Sequence, residues 1–449
     1  MKKKMKIQNK SFYLYEGIPY EMVFNEDEKT TQFVGVGENG GVEFRDSFVE
    51  GEITILPFSP ENDLLKNSVV LFPSHPVDYG SEKELIEEIR SFVHKYLEIS
   101  PFFEKLVPFY VLFTWMYDQF KELPYLRALA DYGNGKSRFL KAIGALCYKP
   151  MFTVGATTTA PIFRLIDQFK GTLVLDEADL RFSDTNVEIV KILNNGFQAG
   201  MPVLRCGDGA NDYEIKAFHV FCPKIVATRN RFQDKALESR FLVEYMDGKL
   251  TRKDIPLNLN DDFDKEALEI RNRCLMWRLK NYGVTKKCEM LSDSSIQPRL
   301  NQIISPLASI IEDEDVRSGL IEFVREYNKE LVIDKGLSFE APILEVIIKL
   351  MHEAQGDITM KSISERYNLE CLVGGDREMS PRKVGSIIRD KFRLKTVRTR
   401  DGYILSRESY DKNIDRLCSS YGIDRELVND VNVVEGDDIE RTLKEIGMI

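Results

Sequence analysis

The sequence has no excess of positive charge. Such an excess would be expected of a protein that binds nucleic acid over much of its surface. It contains 62 lysine and arginine residues against 72 aspartate and glutamate residues, which gives a formal net charge of −10. This balance excludes a uniformly basic surface. Any contact with nucleic acid must therefore be confined to a part of the chain whose local charge differs from the average.

Cysteine pairs and long apolar runs are also missing. The seven cysteines are scattered, with no CxxC pair and no Cys/His cluster at the spacing of zinc ligands, so we interpret them as reduced thiols of a cytoplasmic protein. The longest apolar run extends from Leu106 to Tyr117, contains Pro108 and falls far short of the ~20 residues that span a bilayer. The N-terminus continues from its lysines into polar residues, unlike a signal peptide. We expect no membrane contact.

Apolar residues make up 43% of the 449 residues and charged residues 30%, a balance typical of folded proteins with several domains. From Tyr125 to Met246, short apolar strands alternate with helices, which predicts an α/β fold with a parallel sheet. The predicted segments are a β-rich domain at 1–75, a helical lead-in at 81–122, an α/β core at 123–249, a helical segment at 250–335, helices with a strand pair at 338–420 and an acidic tail at 421–449.

The first strand of the predicted core leads into a glycine-rich loop. Apart from an alanine in place of the first glycine, this loop fits the pattern G-x-x-x-x-G-K-[ST] and precedes a helix-compatible segment. In such a loop, backbone N–H groups at a helix N-terminus converge on an anion, the lysine contacts the β- and γ-phosphates and the hydroxyl binds Mg²⁺. The pattern predicts a site for ATP and Mg²⁺ formed by Ala130, Asp131, Tyr132, Gly133, Asn134, Gly135, Lys136, Ser137 and Arg138.

A second apolar strand ends in two acids, Asp176 and Glu177, and Asp176 lies forty residues beyond Lys136. An acid at the tip of a buried strand holds Mg²⁺ through water, and an adjacent glutamate polarises the attacking water. We therefore expect Asp176 in the metal site and Glu177 in catalysis; the alternative is a strand that merely ends in solvated charge. Because a strand at 151–154 intervenes, another strand should lie between the two nucleotide-binding strands in the sheet.

The loop and the acids together resemble the AAA+ class of ATPases. The resemblance implies a five-stranded parallel sheet in the order 5-1-4-3-2, a helical lid at 250–335 and a polar sensor of the γ-phosphate after the strand at 224–227. There the chain has Thr228, Arg229 and Asn230, with arginine at the position where asparagine is commoner in this class. We expect Thr228 to be the sensor, with Asn230 next.

Two arginines extend the resemblance. Arg240 matches the arginine finger of the class, which reaches the nucleotide of a neighbouring subunit and stabilises charge that develops during phosphoryl transfer. The alternative is a surface arginine in a salt bridge. Arg299 resembles a second sensor arginine of the lid, with a solvated residue at a helix start as the alternative. A finger of this kind implies a homo-oligomeric ring, which we expect to be a hexamer.

The segment from Pro202 to Phe218 has two alternating runs around a cluster of Gly, Asn and Asp, which predicts a β-hairpin. Its location resembles the hairpin of superfamily-three viral helicases and minichromosome-maintenance helicases, which projects into the pore of a ring and follows a DNA backbone. Arg205 and Lys216 are then candidate phosphate contacts. Because the tip is acidic and rich in glycine, a purely structural hairpin is the alternative.

The predicted helices and strand pair at 338–420 resemble a winged helix-turn-helix. From Pro381 to Arg400 there are eight basic residues and one acid, a charge that suits contact with DNA phosphates and grooves. A winged helix that contacts protein is the alternative. The acidic tail is either solvated or binds a protein partner. The predicted DNA contacts are Arg382, Lys383, Arg389, Lys395, Arg398 and Arg400.

The order of these parts resembles ATPases encoded by plasmids, integrated elements and viruses. The resemblance implies an ATP-dependent DNA helicase or translocase that acts as a ring in the replication of such an element, with Lys136, Glu177 and Arg240 as its catalytic residues. Two alternatives stay open. One is an AAA+ ATPase that remodels a protein partner as a loader, an initiator or a defence ATPase, and the other is a DNA-binding regulator gated by nucleotide.

Overall fold

The computed structural model describes residues 6–176, 184–206, 215–232, 234–246, 252–284, 293, 295–336, 340–353, 357–371, 378–400 and 402–425, without the side chains of 184–187 and 332–336. The chain divides into two compact units, Met1–Val324 and Arg325–Ile449. None of the helices in these ranges has both the length and the apolarity needed to cross a membrane.

Seven short strands form two small sheets in the N-terminal part of the first unit. They are β1 (Lys6–Asn9), β2 (Phe12–Tyr15), β3 (Ile18–Asn25), β4 (Thr30–Val36), β5 (Val42–Arg45), β6 (Phe48–Glu50) and β7 (Ile53–Leu56). One sheet is antiparallel with the order β2-β3-β4-β5, and the other has the order β1-β7-β6. Phe48 joins the two sheets, because its ring packs against Tyr20 at 4.8 Å and against Phe33 at 5.3 Å between centroids.

Helices follow the small sheets along the chain. They are α1 (Asp63–Lys66), α2 (Glu82–Tyr96) and α3 (Pro101–Met116), with a 3-10 turn at Tyr117–Gln119. The predicted capping box at the start of α2 is present: the Ser81 hydroxyl accepts from the Glu84 N–H, and the Glu84 carboxylate accepts from the Ser81 N–H. α3 is buried along nearly its whole length, which explains its long apolar run.

The described residues of the α/β core form seven strands and four helices. Its elements are β8 (Tyr125–Leu129), α4 (Lys136–Gly144), β9 (Met151–Val154), α5 (Thr159–Phe169), β10 (Leu173–Asp176), α6 (Asp184–Asn195), β11 (Val203–Cys206), β12 (Ile215–Phe218), β13 (Lys224–Thr228), α7 (Lys235–Glu238) and β14 (Phe241–Tyr245). Five of these strands form one parallel sheet, which confirms the predicted α/β class. Such a sheet, covered by helices, is consistent with the core of a P-loop protein.

The order of strands in this sheet is β14-β8-β13-β10-β9. One strand does lie between β8 and β10 in the sheet, and it is β13. Although β9 comes between β8 and β10 in the sequence, it does not lie between them in the sheet. β9 forms the edge of the sheet beyond β10. The carboxyl ends of β8, β13 and β10 therefore lie side by side, and the residues that follow these three strands share one edge of the sheet.

A buried cluster of charges links the small sheets to the α/β core and to the helix that carries Arg278. Glu21 on β3 accepts hydrogen bonds from Arg278 Nε and from the Tyr148 hydroxyl, both at 2.7 Å, and its other oxygen lies 2.8 Å from Lys149 Nζ. Arg278 also donates to the Asp118 carboxylate. Because Glu21, Lys149 and Arg278 are at most 1% exposed, the opposite charges must compensate one another for the cluster to remain buried.

Three further helices complete the first unit and lead into the second: α8 (Asp261–Asn281), α9 (Pro298–Ile310) and α10 (Glu314–Gly336). The second unit continues with α11 (Glu340–Glu353), α12 (Met360–Glu370), α13 (Pro381–Asp390), β15 (Thr396–Thr399), β16 (Gly402–Leu405), α14 (Arg407–Asp411) and α15 (Ile414–Tyr421). Its core packs Ile347, Ile363 and Ile388 from α11, α12 and α13 together with Leu405. In the described part of the second unit, α11, α12 and α13 are thus followed by an antiparallel strand pair.

Candidate functional site

The loop between β8 and α4 has the backbone of an anion-binding loop. Gly133 and Gly135 have φ angles of 83° and 79°, in the left-handed region that favours glycine. Gly135 is the N-cap of α4, and no side chain caps the first N–H groups of that helix. A helix N-terminus that presents its N–H groups from a glycine-rich loop attracts phosphate through hydrogen bonds and the helix dipole.

Lys136 holds its ammonium group over this loop. Lys136 Nζ donates to the carbonyl oxygens of Ala130 at 2.7 Å and Asp131 at 2.5 Å. The positive charge is therefore fixed at the mouth of the loop, where it is available to a phosphate that enters.

Ser137 and Asp176 form the second part of the site. The Ser137 hydroxyl donates to the Asp176 carboxylate at 2.7 Å, although the two residues come from different βα units. A hydroxyl and a carboxylate are oxygen donors of the kind that Mg²⁺ prefers, and Mg²⁺ commonly keeps several water ligands in addition. Within the described ranges there is no group of three or more His, Cys, Asp or Glu residues that could hold a metal ion.

These residues line one cavity of about 280 Å³. Its walls are formed by residues 132–138 of the loop and by Asp176, Ala227 and Arg229 from the neighbouring strands. Of the predicted phosphate and metal residues, the structure brings Lys136, Ser137 and Asp176 together here. The predicted catalytic residue Glu177 lies outside the described residues.

Arg229 is a cavity residue that the sequence analysis did not favour. Ala227 and Arg229 line the cavity, whereas Thr228 and Asn230 are not among its lining residues. Thr228 is only 1% exposed, and its hydroxyl has no hydrogen-bond partner among the described residues. Side chains alternate along an extended chain, so residues 227 and 229 lie on the same face. This alternation is the sequence signal that could have identified Arg229 as a cavity residue.

Arg138 also borders the cavity, but its hydrogen bonds point elsewhere. Its guanidinium donates to the carbonyl oxygens of Pro256 and Leu257. Arg138 thereby ties α4 to the segment that precedes α8. The structure thus shows a positioning contact for this residue, and its predicted contact with nucleotide stays a prediction.

The charges of Arg240 and Arg299 interact, and neither residue is among those that line the cavity. Arg240 is 5% exposed, donates to Asn194 and to the Ala236 carbonyl, and packs over the Phe197 ring at 4.2 Å. Burial and the positive charge of nearby Arg299 lower the pKa of the Arg240 guanidinium. Arg299 is exposed at the start of α9. The predicted lid sensor is therefore placed beside the predicted finger.

A buried ion pair that the sequence analysis missed supports the segment before Arg240. Arg127 on β8 donates through two nitrogens to the Glu238 carboxylate, and the residues are 0% and 1% exposed. Glu238 also accepts from the Phe232 N–H at 2.9 Å. The pair fixes α7 against the strand that leads into the phosphate-binding loop.

The predicted hairpin has antiparallel strands, β11 and β12, which place Arg205 opposite Lys216. Arg205 forms an ion pair with Glu188 at 3.0 Å and lies over the Phe163 ring. Lys216 is exposed. The predicted tip, residues 207–214, lies outside the described residues.

The six predicted DNA contacts of the second unit are all exposed, on or after α13. The opposite face of α13 buries Val384, Ile387 and Ile388. Ser380 caps the helix and Pro381 occupies its first turn, as the sequence predicts. The acidic tail at 426–449 lies outside the described residues.

No family model and no curated protein matches the chain. Among solved structures, the apo C-terminal region of NrS-1 is 12% identical with a TM-score of 0.33, and the match covers 86% of this chain and 96% of that one. An active helicase, Cch of SCCmec type IV, is 10% identical with a TM-score of 0.43 over 92% and 80%. The Thermotoga maritima RuvB Holliday junction branch migration motor is 15% identical with a TM-score of 0.23 over 72% and 98%.

A helicase and a branch migration motor are thus among the structures similar to this chain, as the resemblance in the sequence predicts. TM-scores and identities this low do not transfer a function. The functional interpretation therefore depends on the residues of the chain's own site.

Proposed function

We propose that the protein is an ATP-dependent DNA helicase or translocase that acts as a hexameric ring in the replication of a plasmid, an integrated element or a virus. The observation that carries the ATPase part is the hydrogen bond between Ser137 and Asp176 beside the Lys136 ammonium, in one cavity at the carboxyl edge of a parallel sheet. Separate βα units supply these groups, so their convergence is a property of the fold.

In this proposal the residues of the cavity have separate roles. Lys136 and the backbone of the loop bind the β- and γ-phosphates, while Ser137 and Asp176 hold Mg²⁺ directly or through water. When bound, Mg²⁺ neutralises charge on the phosphate oxygens. Glu177, the next residue after Asp176, orients and polarises the attacking water.

The ring is proposed from the arginine pair. Neither Arg240 nor Arg299 lines the cavity of its own chain, and the support for a contact with the nucleotide of a neighbouring copy is the resemblance of Arg240 to an arginine finger. Mixing Arg240→Ala chains with Glu177→Gln chains should partly restore ATP turnover, because some interfaces would then combine an intact Arg240 with an intact Glu177. Mixtures no more active than the separate variants would contradict a shared site.

We propose that the second unit is a winged helix that binds duplex DNA. This proposal is supported by the location of the six basic side chains. They lie on the exposed side of α13, opposite its buried face, and on the segment that contains β15. Arg389 also lies over the ring of Tyr403 on β16, so the helix and the strand pair present one continuous surface.

One observation favours the remodelling alternative. Arg205 forms an ion pair with Glu188. The exposed face of the hairpin carries Leu204 and Ile215, which are 61% and 68% exposed. An apolar surface of this kind suits contact with protein better than contact with phosphate. The DNA-tracking role of Arg205 and Lys216 is therefore the part of the proposal with least support.

Strand displacement separates these functions. The purified protein with ATP and Mg²⁺ should separate a forked duplex, and Glu177→Gln should abolish both ATP turnover and displacement. ATP turnover without displacement for either overhang polarity would favour the remodelling ATPase. ATP binding without turnover, even with DNA present, would favour the regulator.

A further inference from the structure

One surface of the second unit carries positive charge that nearby acids do not balance. The eight bases between Pro381 and Arg400 are all exposed, and we call them the basic surface. The single acid of this stretch, Asp390, accepts a hydrogen bond from the Ser386 hydroxyl at 2.6 Å. Within the described ranges, no ion pair is formed by five of the eight bases: Arg389, Lys391, Arg393, Lys395 and Arg398.

Bases elsewhere in the same unit do have acidic partners. Lys349 Nζ lies 3.0 Å from the Glu370 carboxylate, and Lys412 Nζ lies 2.7 Å from the Glu408 carboxylate. The basic surface therefore differs from the rest of the unit in its lack of local counter-charges.

The opposite charge is concentrated at the end of the same unit. Residues 426–449 contain seven acids and two bases. Four of the acids fall within six residues that include no base: Glu435, Asp437, Asp438 and Glu440. The C-terminal segment 426–449 thus carries the charge that would complement the basic surface.

The described chain ends close to this surface. Helix α15 ends at Tyr421, whose ring packs against the ring of Phe392 at 5.6 Å between centroids. Arg416 Nη2, on the same helix, donates to the Phe392 carbonyl oxygen at 3.4 Å. Phe392 lies between Lys391 and Arg393 in the sequence. The chain therefore leaves α15 beside the end of the basic helix α13.

The acids are within reach of the whole basic surface. Glu435 is ten residues beyond Arg425. Ten extended residues span up to about 33 Å, whereas the ten residues of α13 are only about 15 Å long. A short tether of this kind gives an effective concentration on the order of millimolar, so that even weak contacts between exposed charges keep the surface occupied for much of the time.

We propose that the C-terminal segment docks on the basic surface of its own chain through Glu435, Asp437, Asp438 and Glu440, and that it competes there with duplex DNA. The inference rests on the proposed DNA-binding role of the second unit. Duplex DNA carries one negative charge per about 1.7 Å of its axis, so a well-seated duplex displaces four carboxylates, whereas a weaker contact does not. The segment thereby restricts the surface to duplex that engages many of its bases.

The first test measures duplex DNA affinity of the full chain by fluorescence anisotropy. A variant with Glu435→Gln, Asp437→Asn, Asp438→Asn and Glu440→Gln should bind about three- to tenfold tighter at low salt, the gain expected if the segment covers the surface about 70 to 90% of the time. The gain should shrink as salt rises, because screening also weakens the contact within the chain.

The matched control removes four exposed acids from the first unit. Glu26→Gln, Asp27→Asn, Glu28→Gln and Glu38→Gln together change the net charge by the same amount, and DNA affinity should stay within about twofold of the wild type. Equal tightening in both variants would reduce the effect to net charge and overturn the proposal. Equal affinity of the wild type and the C-terminal variant would also overturn it. DNA binding by none of the three proteins would refute the proposed DNA-binding role and, with it, the competition.

A second test detects the docked segment without DNA. A carbodiimide joins a lysine amine to a carboxylate that touches it, and the linked peptides are identified by mass spectrometry. Residues 435–440 should be linked to Lys391 or Lys395, and added duplex DNA should lower the yield of these links. A mixture of unlabelled and ¹⁵N-labelled chains shows whether both partners belong to one chain. Links only between chains, or only to lysines outside the basic surface, would contradict the docking whatever the result with DNA.

Discussion

Replacing Glu238 by glutamine should destabilise the first unit more than any exposed charge substitution. Glu238 is 1% exposed and holds the guanidinium of Arg127, which is fully buried on β8, an inner strand of the parallel sheet. Glutamine keeps the size of the side chain but removes the negative charge. A buried arginine left without its counter-charge costs about 3–5 kcal/mol of the free energy of unfolding.

Urea unfolding followed by tryptophan fluorescence measures this loss. Both tryptophans of the chain, Trp115 and Trp277, belong to the unit Met1–Val324, so their emission reports on the unit that contains Glu238. The matched control is Glu87→Gln, whose partner Arg90 lies 3.6 Å away in an exposed pair. An exposed pair of this kind contributes only about 0–1 kcal/mol.

A double variant separates the charge effect from packing. Arg127→Met with Glu238→Leu removes both charges and keeps apolar volume, so most of the lost stability should return. Recovery should fall short by about 1 kcal/mol, because the Phe232 N–H loses its acceptor. If Glu238→Gln unfolds at the same urea concentration as Glu87→Gln, the buried pair does not have the role described.

Three further predictions concern the cavity, the buried charges and the basic surface. Ser137→Ala should weaken Mg²⁺-dependent ATP binding about tenfold while binding without Mg²⁺ changes little, because the hydroxyl beside Asp176 is lost. Burial lowers the pKa of Lys149 to about 8, below its ordinary 10.5, so the unfolded chain binds more protons between these values. The free energy of unfolding should therefore gain up to about 3 kcal/mol from this residue as pH rises from 8 to 10.5, and Lys149→Met should flatten that rise in pH-dependent unfolding. Arg382→Ala and Lys383→Ala should each weaken duplex DNA binding and lower the slope of log affinity against log salt by about one, and an unchanged slope would exclude phosphate contact.

Local patterns in the sequence predict the core and the phosphate side of the site. The loop before α4 is recognised by its glycine pattern, and its lysine and serine are recognised because they begin the helix that follows. All of these residues lie within a short stretch of sequence. Asp176 is predictable because it ends a short apolar strand. The pairing of Ser137 with Asp176 depends only on the parallel arrangement of β8 and β10 in one sheet.

The environment of the arginines could not be predicted in the same way. Arg240 is buried because Asn194 and Phe197, more than forty residues earlier, pack against it. The position of Arg299 beside Arg240 depends on how α9 packs on the core, for which no local pattern exists. Which of Thr228 and Arg229 lines the cavity depends on which face of β13 meets it, and residue types alone do not fix that face.

The most direct test of the account is steady-state ATP hydrolysis by the purified chain with Mg²⁺ and forked DNA, compared between the wild type and Lys136→Ala. Lys136 lies in the cavity with Ser137 and Asp176, so we expect turnover in the wild type and its loss in the variant. Absence of turnover in the wild type, or turnover that survives Lys136→Ala, would contradict the assignment of this cavity as the site of ATP hydrolysis.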